Sequence, residues 1–179
     1  MSQPPIPQSY WVTPEQLLAG EYPGSHEEYA ARKKISALLE AGITDFIDLT
    51  YPHELVSYEP MLKELASAYE VKASYTRIPI RDGSVPSYET MRHILDTIDN
   101  TLKHGRKIYI HCWGGVGRTG TVVGCYLVHS GETPKSALAQ VEELFHTRPI
   151  NLYHPHSPET DEQAQFILDW HEAPRYCEG

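Results

Sequence analysis

The sequence predicts an α/β fold, with a central, mostly parallel mixed sheet of four to five strands flanked by helices. Three observations predict it. Short apolar runs with strand character, such as Thr44-Asp45-Phe46-Ile47-Asp48-Leu49 and Ile108-Tyr109-Ile110-His111, alternate with segments whose apolar residues recur at helical spacing. Strands alternating with helices favour parallel pairing and a sheet covered on both faces. The 179 residues suffice for one hydrophobic core and one domain over residues 1–179, with a loose N-terminal arm expected at about residues 1–10, where three prolines fall.

The elements follow in order. Thr13-Pro14-Glu15-Gln16 has the form of a capping box with proline at the first helical position, so a short helical turn is expected before a strand or irregular edge at Leu17-Leu18-Ala19-Gly20-Glu21-Tyr22. Ser25-His26-Glu27-Glu28 repeats the capping pattern, and Ile35, Leu38 and Leu39 share one helical face until Gly42 ends the run. A strand over residues 44–49 stops at Tyr51-Pro52, a weaker helix follows over residues 60–69, and residues 73–80 read as the next strand. Arg81-Asp82-Gly83-Ser84-Val85-Pro86 is a loop by composition. Met91, Ile94, Leu95, Ile98 and Leu102 then mark a helix that Gly105 closes, and residues 107–112 form a strand. Three more helices are expected: one carrying Val122, Val123, Tyr126 and Leu127, one capped at Thr133-Pro134, and a last opened by Ser157-Pro158-Glu159.

Composition narrows the function. A formal net charge of −9 gives no long-range attraction to nucleic acid or to an anionic membrane, so any phosphate must be captured locally. No apolar run reaches the roughly 20 residues of a membrane span, and the first residues lack the basic and apolar regions of a signal peptide, so a cytoplasmic chain is expected. Cys112, Cys125 and Cys177 form neither a disulfide framework nor a zinc pattern, and reduced thiols are the simplest reading. His154 and His156 lack an acidic or cysteine partner at ligand spacing, which favours a surface loop, and no metal or cofactor is expected.

The chemistry concentrates in His111-Cys112-Trp113-Gly114-Gly115-Val116-Gly117-Arg118-Thr119-Gly120, between a strand and a helix. Glycines here allow a tight curl whose amides face inward, a nest for an anion at a helix N-terminus. Cys112 at its base is expected as a thiolate nucleophile, favoured by the amides, the helix terminus and Arg118. Arg118 offers a planar fork for two phosphoryl oxygens, and residues Trp113, Gly114, Gly115, Val116 and Gly117 complete the binding loop. Thr119 is placed to give its hydroxyl to the cysteine sulfur, and His111 to orient the loop.

This loop resembles that of the cysteine-dependent protein phosphatase superfamily, His-Cys-x5-Arg-Ser/Thr, in its compact dual-specificity-like branch. The resemblance implies metal-free hydrolysis of phosphomonoesters through a phosphocysteine, with a general acid on an upstream loop that Asp82 matches. From the residues alone, Asp82 reads equally as a turn residue before Gly83. The resemblance also implies a phosphorylated protein substrate, phosphotyrosine above all, with phosphoserine and phosphothreonine as further candidates. An inositol-phosphate or phosphoinositide substrate is the enzymatic alternative, disfavoured because Trp113 to Gly117 carry no charge. A phosphate-binding scaffold is the alternative of another class. Gln163 resembles a late glutamine that positions water in some related phosphatases, against an exposed glutamine on the last helix. Cys125 is expected in the core, with a redox pairing to Cys112 as the other reading. Tyr51, Tyr58 and Trp113 are candidates for the pocket rim. No pattern specifies an oligomeric state.

Overall fold

A computed structural model describes residues 3–149 and 152–171. Five strands form one mixed sheet in the order β1-β2-β5-β3-β4: β1 (Ser9–Thr13), β2 (Leu17–Gly20), β3 (Ile43–Asp48), β4 (Ser74–Arg77) and β5 (Lys107–His111). Only β1 and β2 pair antiparallel, and β5 lies in the middle between β2 and β3. The predicted fold class is therefore the one observed.

Alternation along the strands divides the core in two. Ile108 and Ile110 of β5, Leu17 and Ala19 of β2 and Ile47 of β3 face one side, against α3 (Tyr88–Lys103), α4 (Gly117–His129), α5 (Pro134–Phe145) and α6 (Asp161–Asp169). Tyr109, Leu18 and Phe46 face the other, against α1 (Glu28–Glu40) and α2 (Glu59–Ala68). Each helix buries the stripe its sequence marks, for example Met91, Ile94, Leu95 and Ile98 on α3. Ser87 and Thr133 cap α3 and α5 as hydroxyl acceptors for Thr90 N and Ser136 N.

Four local expectations are corrected. Over its described residues 3–10 the N-terminal arm is not loose: Ile6 and Tyr10 are buried, Ser9 Oγ donates to Ile6 O at 2.7 Å, and β1 begins inside the segment. Burial of two large apolar side chains outweighs the prolines. Thr13 to Gln16 make a tight turn rather than a helix start, because Gln16 N donates to Thr13 O and Glu15 takes a left-handed φ of 57°. The Ser25 capping box is not made; Ser25 Oγ accepts from Glu27 N, and α1 begins three residues later. On α6 the box is shifted to Thr160 and Gln163, each bonding the other's backbone.

One deviation positions the site. Beyond β4, Ile78 N and Ile80 N still donate to Asp48 O and Leu49 O, both at 2.9 Å. The chain thus tracks β3 past its end and delivers Ile80 and Asp82 beside the loop that leaves β5.

Candidate active site

β5 is buried along residues 108–111 and ends at the carboxyl edge of the sheet, where residues 112–116 turn into α4. Such an edge is where open α/β sheets gather ligands. A cleft of about 250 Å³ opens there, lined by Asp82, Cys112, Trp113, Gly114, Val116, Gly117, Arg118, His154 and Glu159. Most of the predicted site residues meet in this one cleft.

The loop is held by its carbonyls. His111 Nδ1 donates to Cys112 O at 3.2 Å, Tyr22 N to Trp113 O at 2.7 Å, and Arg148 Nη1 to Gly114 O and Gly115 O at 3.2 and 3.1 Å. Ser157 Oγ donates to Val116 O at 2.8 Å. In a trans peptide the N–H points opposite to the C=O, so the amides of residues 113–117 are turned away from these tethers. Amides turned away from the tethers suit a nest for an anion. Gly115 is held at φ 67°, and a Cβ there would lie 2.3 Å from the backbone of Gly20, so the curl needs a glycine.

Cys112 is 3% exposed at the base of the cleft. Arg118 is buried, and its fork is heavily engaged: Nη2 meets Glu54 Oε1 at 2.7 Å and Asp82 Oδ1 at 3.1 Å, while Nη1 meets Glu54 Oε2 at 3.0 Å and Ile80 O at 3.1 Å. Its Nε has no hydrogen-bond partner among the described residues, leaving one buried donor for an incoming oxygen. Burial tends to raise the pKa of Glu54, but the Arg118 hydrogen bonds and the Tyr51 amide overcome it and hold the carboxyl below the usual range. Asp82, with its side chain 64% exposed, stands at the mouth.

Other expectations divide. Thr119 Oγ1 is buried and makes no hydrogen bond among the described residues, so the expected donation to the cysteine sulfur is not formed in this arrangement. Trp113 is 63% exposed and stands at the rim, whereas Tyr58 is buried beneath His111, its hydroxyl donating to Nε2 at 2.7 Å. His111 is fully buried, and burial pushes its pKa down, so it is a neutral orienting group. Gln163 is buried rather than exposed: its Nε2 donates to Ser84 O in the Asp82 loop at 3.2 Å, and its Oε1 accepts from Glu159 N and Thr160 N. Cys125 is buried in the core, and Cys177 lies outside the described residues.

Residues 7–167 match the family described as Swiss Army Knife protein, DSP-PTPase phosphatase domain. The chain belongs to the dual-specificity-like branch of the cysteine-dependent protein phosphatase superfamily. The chain is 33% identical over 143 residues to phosphatidylglycerophosphate phosphatase PTPMT2 of Arabidopsis thaliana, covering 79% of this chain and 56% of that one. It is 30% identical over 116 residues to cyclin-dependent kinase inhibitor 3 of Sus scrofa, covering 63% and 54%. The chain thus spans little more than half the length of these relatives. The solved structure of Tk-PTP in its active form shares the fold, with a TM-score of 0.68, 23% identity and coverage of 90% of this chain and 94% of that chain.

Reading the sequence alone missed three groups in this dual-specificity-like site. Glu54 follows the carboxyl end of β3, and that position was its one available signal. Arg148 and Ser157 act on the loop from far along the chain, and no local pattern marks them.

Proposed function

We propose that the chain hydrolyses phosphomonoesters, phosphotyrosine in proteins above all, through a phosphocysteine on Cys112. The observation that carries this is the meeting of Cys112, Arg118 and Asp82 in one cleft. The Cys112 sulfur attacks phosphorus in line with the ester oxygen, the P–O bond breaks, and Asp82 protonates the departing oxygen. The loop amides and the Arg118 fork take the charge on the equatorial oxygens. Asp82, now ionised, accepts a proton from water as it attacks, and the S–P bond breaks to release phosphate. By rotating about χ1, Thr119 is proposed to bring its otherwise unpartnered hydroxyl to the leaving sulfur.

Support for a single phosphomonoester comes from the charges around the cleft. Among its described lining residues Arg118 is the sole Lys or Arg, and Asp82 and Glu159 stand nearby, with His154 paired to Glu159 at 3.0 Å. A headgroup bearing several phosphates would meet this acidic rim unfavourably. The second reading, a lipid with one phosphomonoester, draws support from the relative named phosphatidylglycerophosphate phosphatase PTPMT2.

The test is a panel of phosphotyrosyl, phosphoseryl and phosphothreonyl peptides, inositol phosphates and phosphatidylglycerophosphate vesicles, assayed in chelator. Phosphotyrosyl turnover abolished by Cys112→Ser is expected. Turnover that survives Cys112→Ser would overturn the mechanism, binding without turnover would identify a scaffold, and preference for the vesicles would move the substrate to lipid.

A further inference from the structure

Outside the cleft, one cluster among the described residues gathers metal-ligating atoms from two segments. Glu142 lies on α5 and His146 at its C-terminal end, four residues apart and so on one face. His156 reaches them from the segment that precedes α6. His156 Nδ1 lies 2.5 Å and His146 Nε2 3.7 Å from Glu142 Oε1, and all three ligating atoms fall within 4.8 Å of one another. The histidine spacing in sequence offered no acidic partner; the fold supplies one from fourteen residues upstream.

We propose that Glu142, His146 and His156 bind one Zn²⁺. Two imidazoles and a carboxylate are a donor set for Zn²⁺ and not for Mg²⁺ or Ca²⁺. Tetrahedral zinc with bonds of about 2.0–2.1 Å separates its ligands by roughly 3.3 Å. The atoms now straddle that spacing, one pair closer and another wider, and side-chain rotations of the two exposed histidines bring them to it. His146 Nε2 exchanges its 2.9 Å bond to Pro155 O for the metal. The second oxygen of Glu142 stays on Ser157 N at 2.9 Å, which fixes the carboxylate in the way an outer-shell donor orients a ligand. The histidine side chains are 55% and 74% exposed, so water has access to the fourth position.

The bound ion would clasp the segment around His156 onto α5. Ser157 links that segment to Val116 O, so the clasp presses on the phosphate loop without lining the cleft.

The test titrates Zn²⁺ into the full chain carrying Cys112→Ser, which removes the soft active-site sulfur as a rival ligand. Competition with a chromophoric chelator reads the affinity, and Co²⁺ absorption reads the geometry. One equivalent is expected, with affinity falling about tenfold or more in His146→Ala and in His156→Ala. His154→Ala, whose imidazole pairs with Glu159 instead, should bind as the parent does. The thermal midpoint should rise with zinc in the parent and not in His156→Ala. Affinity equal to the parent's in both histidine variants, or no uptake at about 100 μM Zn²⁺, which would leave the midpoint unmoved, overturns the proposal. Neither result depends on catalysis.

Discussion

Glu54 holds Arg118 by a two-pronged contact, 2.7 and 3.0 Å from its two terminal nitrogens, and so fixes the plane of the guanidinium at the cleft floor. A fork held in this plane is pre-aimed at phosphoryl oxygens. Glu54→Gln keeps the shape and loses the charge assistance. Its kcat is expected to fall about tenfold to a hundredfold, with a smaller change in KM, because misorientation is felt most in the transition state. Steady-state kinetics on an aryl phosphate check this, and an unchanged kcat would remove Glu54 from the positioning of Arg118.

Asp82 shares Nη2 of Arg118 with Glu54, at 3.1 Å. A phosphoryl group entering the cleft competes with this ion pair. Asp82→Asn should therefore strengthen inhibition by inorganic phosphate while lowering kcat by about 10²-fold, the low end for a lost general acid. Inhibition constants and kcat measured together separate the two effects.

Gln163 ties the last helix to the Asp82 loop through its bond to Ser84 O, and its amide lies against Gly117, where a Cβ would come within 2.9 Å. Gln163→Ala releases the acid loop without touching Cys112. Turnover of phenyl phosphate should fall about tenfold, and turnover of p-nitrophenyl phosphate, which needs less protonation, should fall less. Equal losses on both esters would place the role of Gln163 elsewhere.

Stability should decline on the acid side for a specific reason. Burial lowers the His111 pKa below the ordinary 6.5, so below that pH the unfolded chain binds a proton that the folded chain resists. The contribution is complete above about pH 6.5 and is lost as pH falls toward the folded value, with a slope of up to about 1.4 kcal/mol per pH unit. Asp48 adds a second acid limb. Burial works to raise its pKa, but His111 and the hydrogen bonds from Tyr75 and Thr50 hold it below 3.8, so its stabilisation is present above that value and lost further down. Denaturant unfolding across pH checks this, and His111→Asn should flatten the first limb.

The sheet was legible because strand and helix periods differ clearly, as between Ile108-Tyr109-Ile110 and the α3 stripe. The phosphate loop was legible because its residues are contiguous. The N-terminal segment was misread since its prolines speak locally, whereas the partners that bury Ile6 and Tyr10 come from later elements. Glu54 and Arg148 were invisible for the same reason: their roles arise only when distant segments meet at the carboxyl end of β5. Gln163 was noticed for its position but not for its contacts, which run backward to Ser84.

Carbonyl tethers of the loop come from Tyr22, Arg148 and Ser157, contributed by opposite ends of the chain. The anion cradle is accordingly a property of completed folding and not of its own ten residues. An oxyanion that settles there rewards the whole assembly, so vanadate should act as a global stabiliser whose effect grows with the logarithm of its concentration. Inherited changes at Arg148 or Ser157 can in turn tune turnover without ever approaching the substrate.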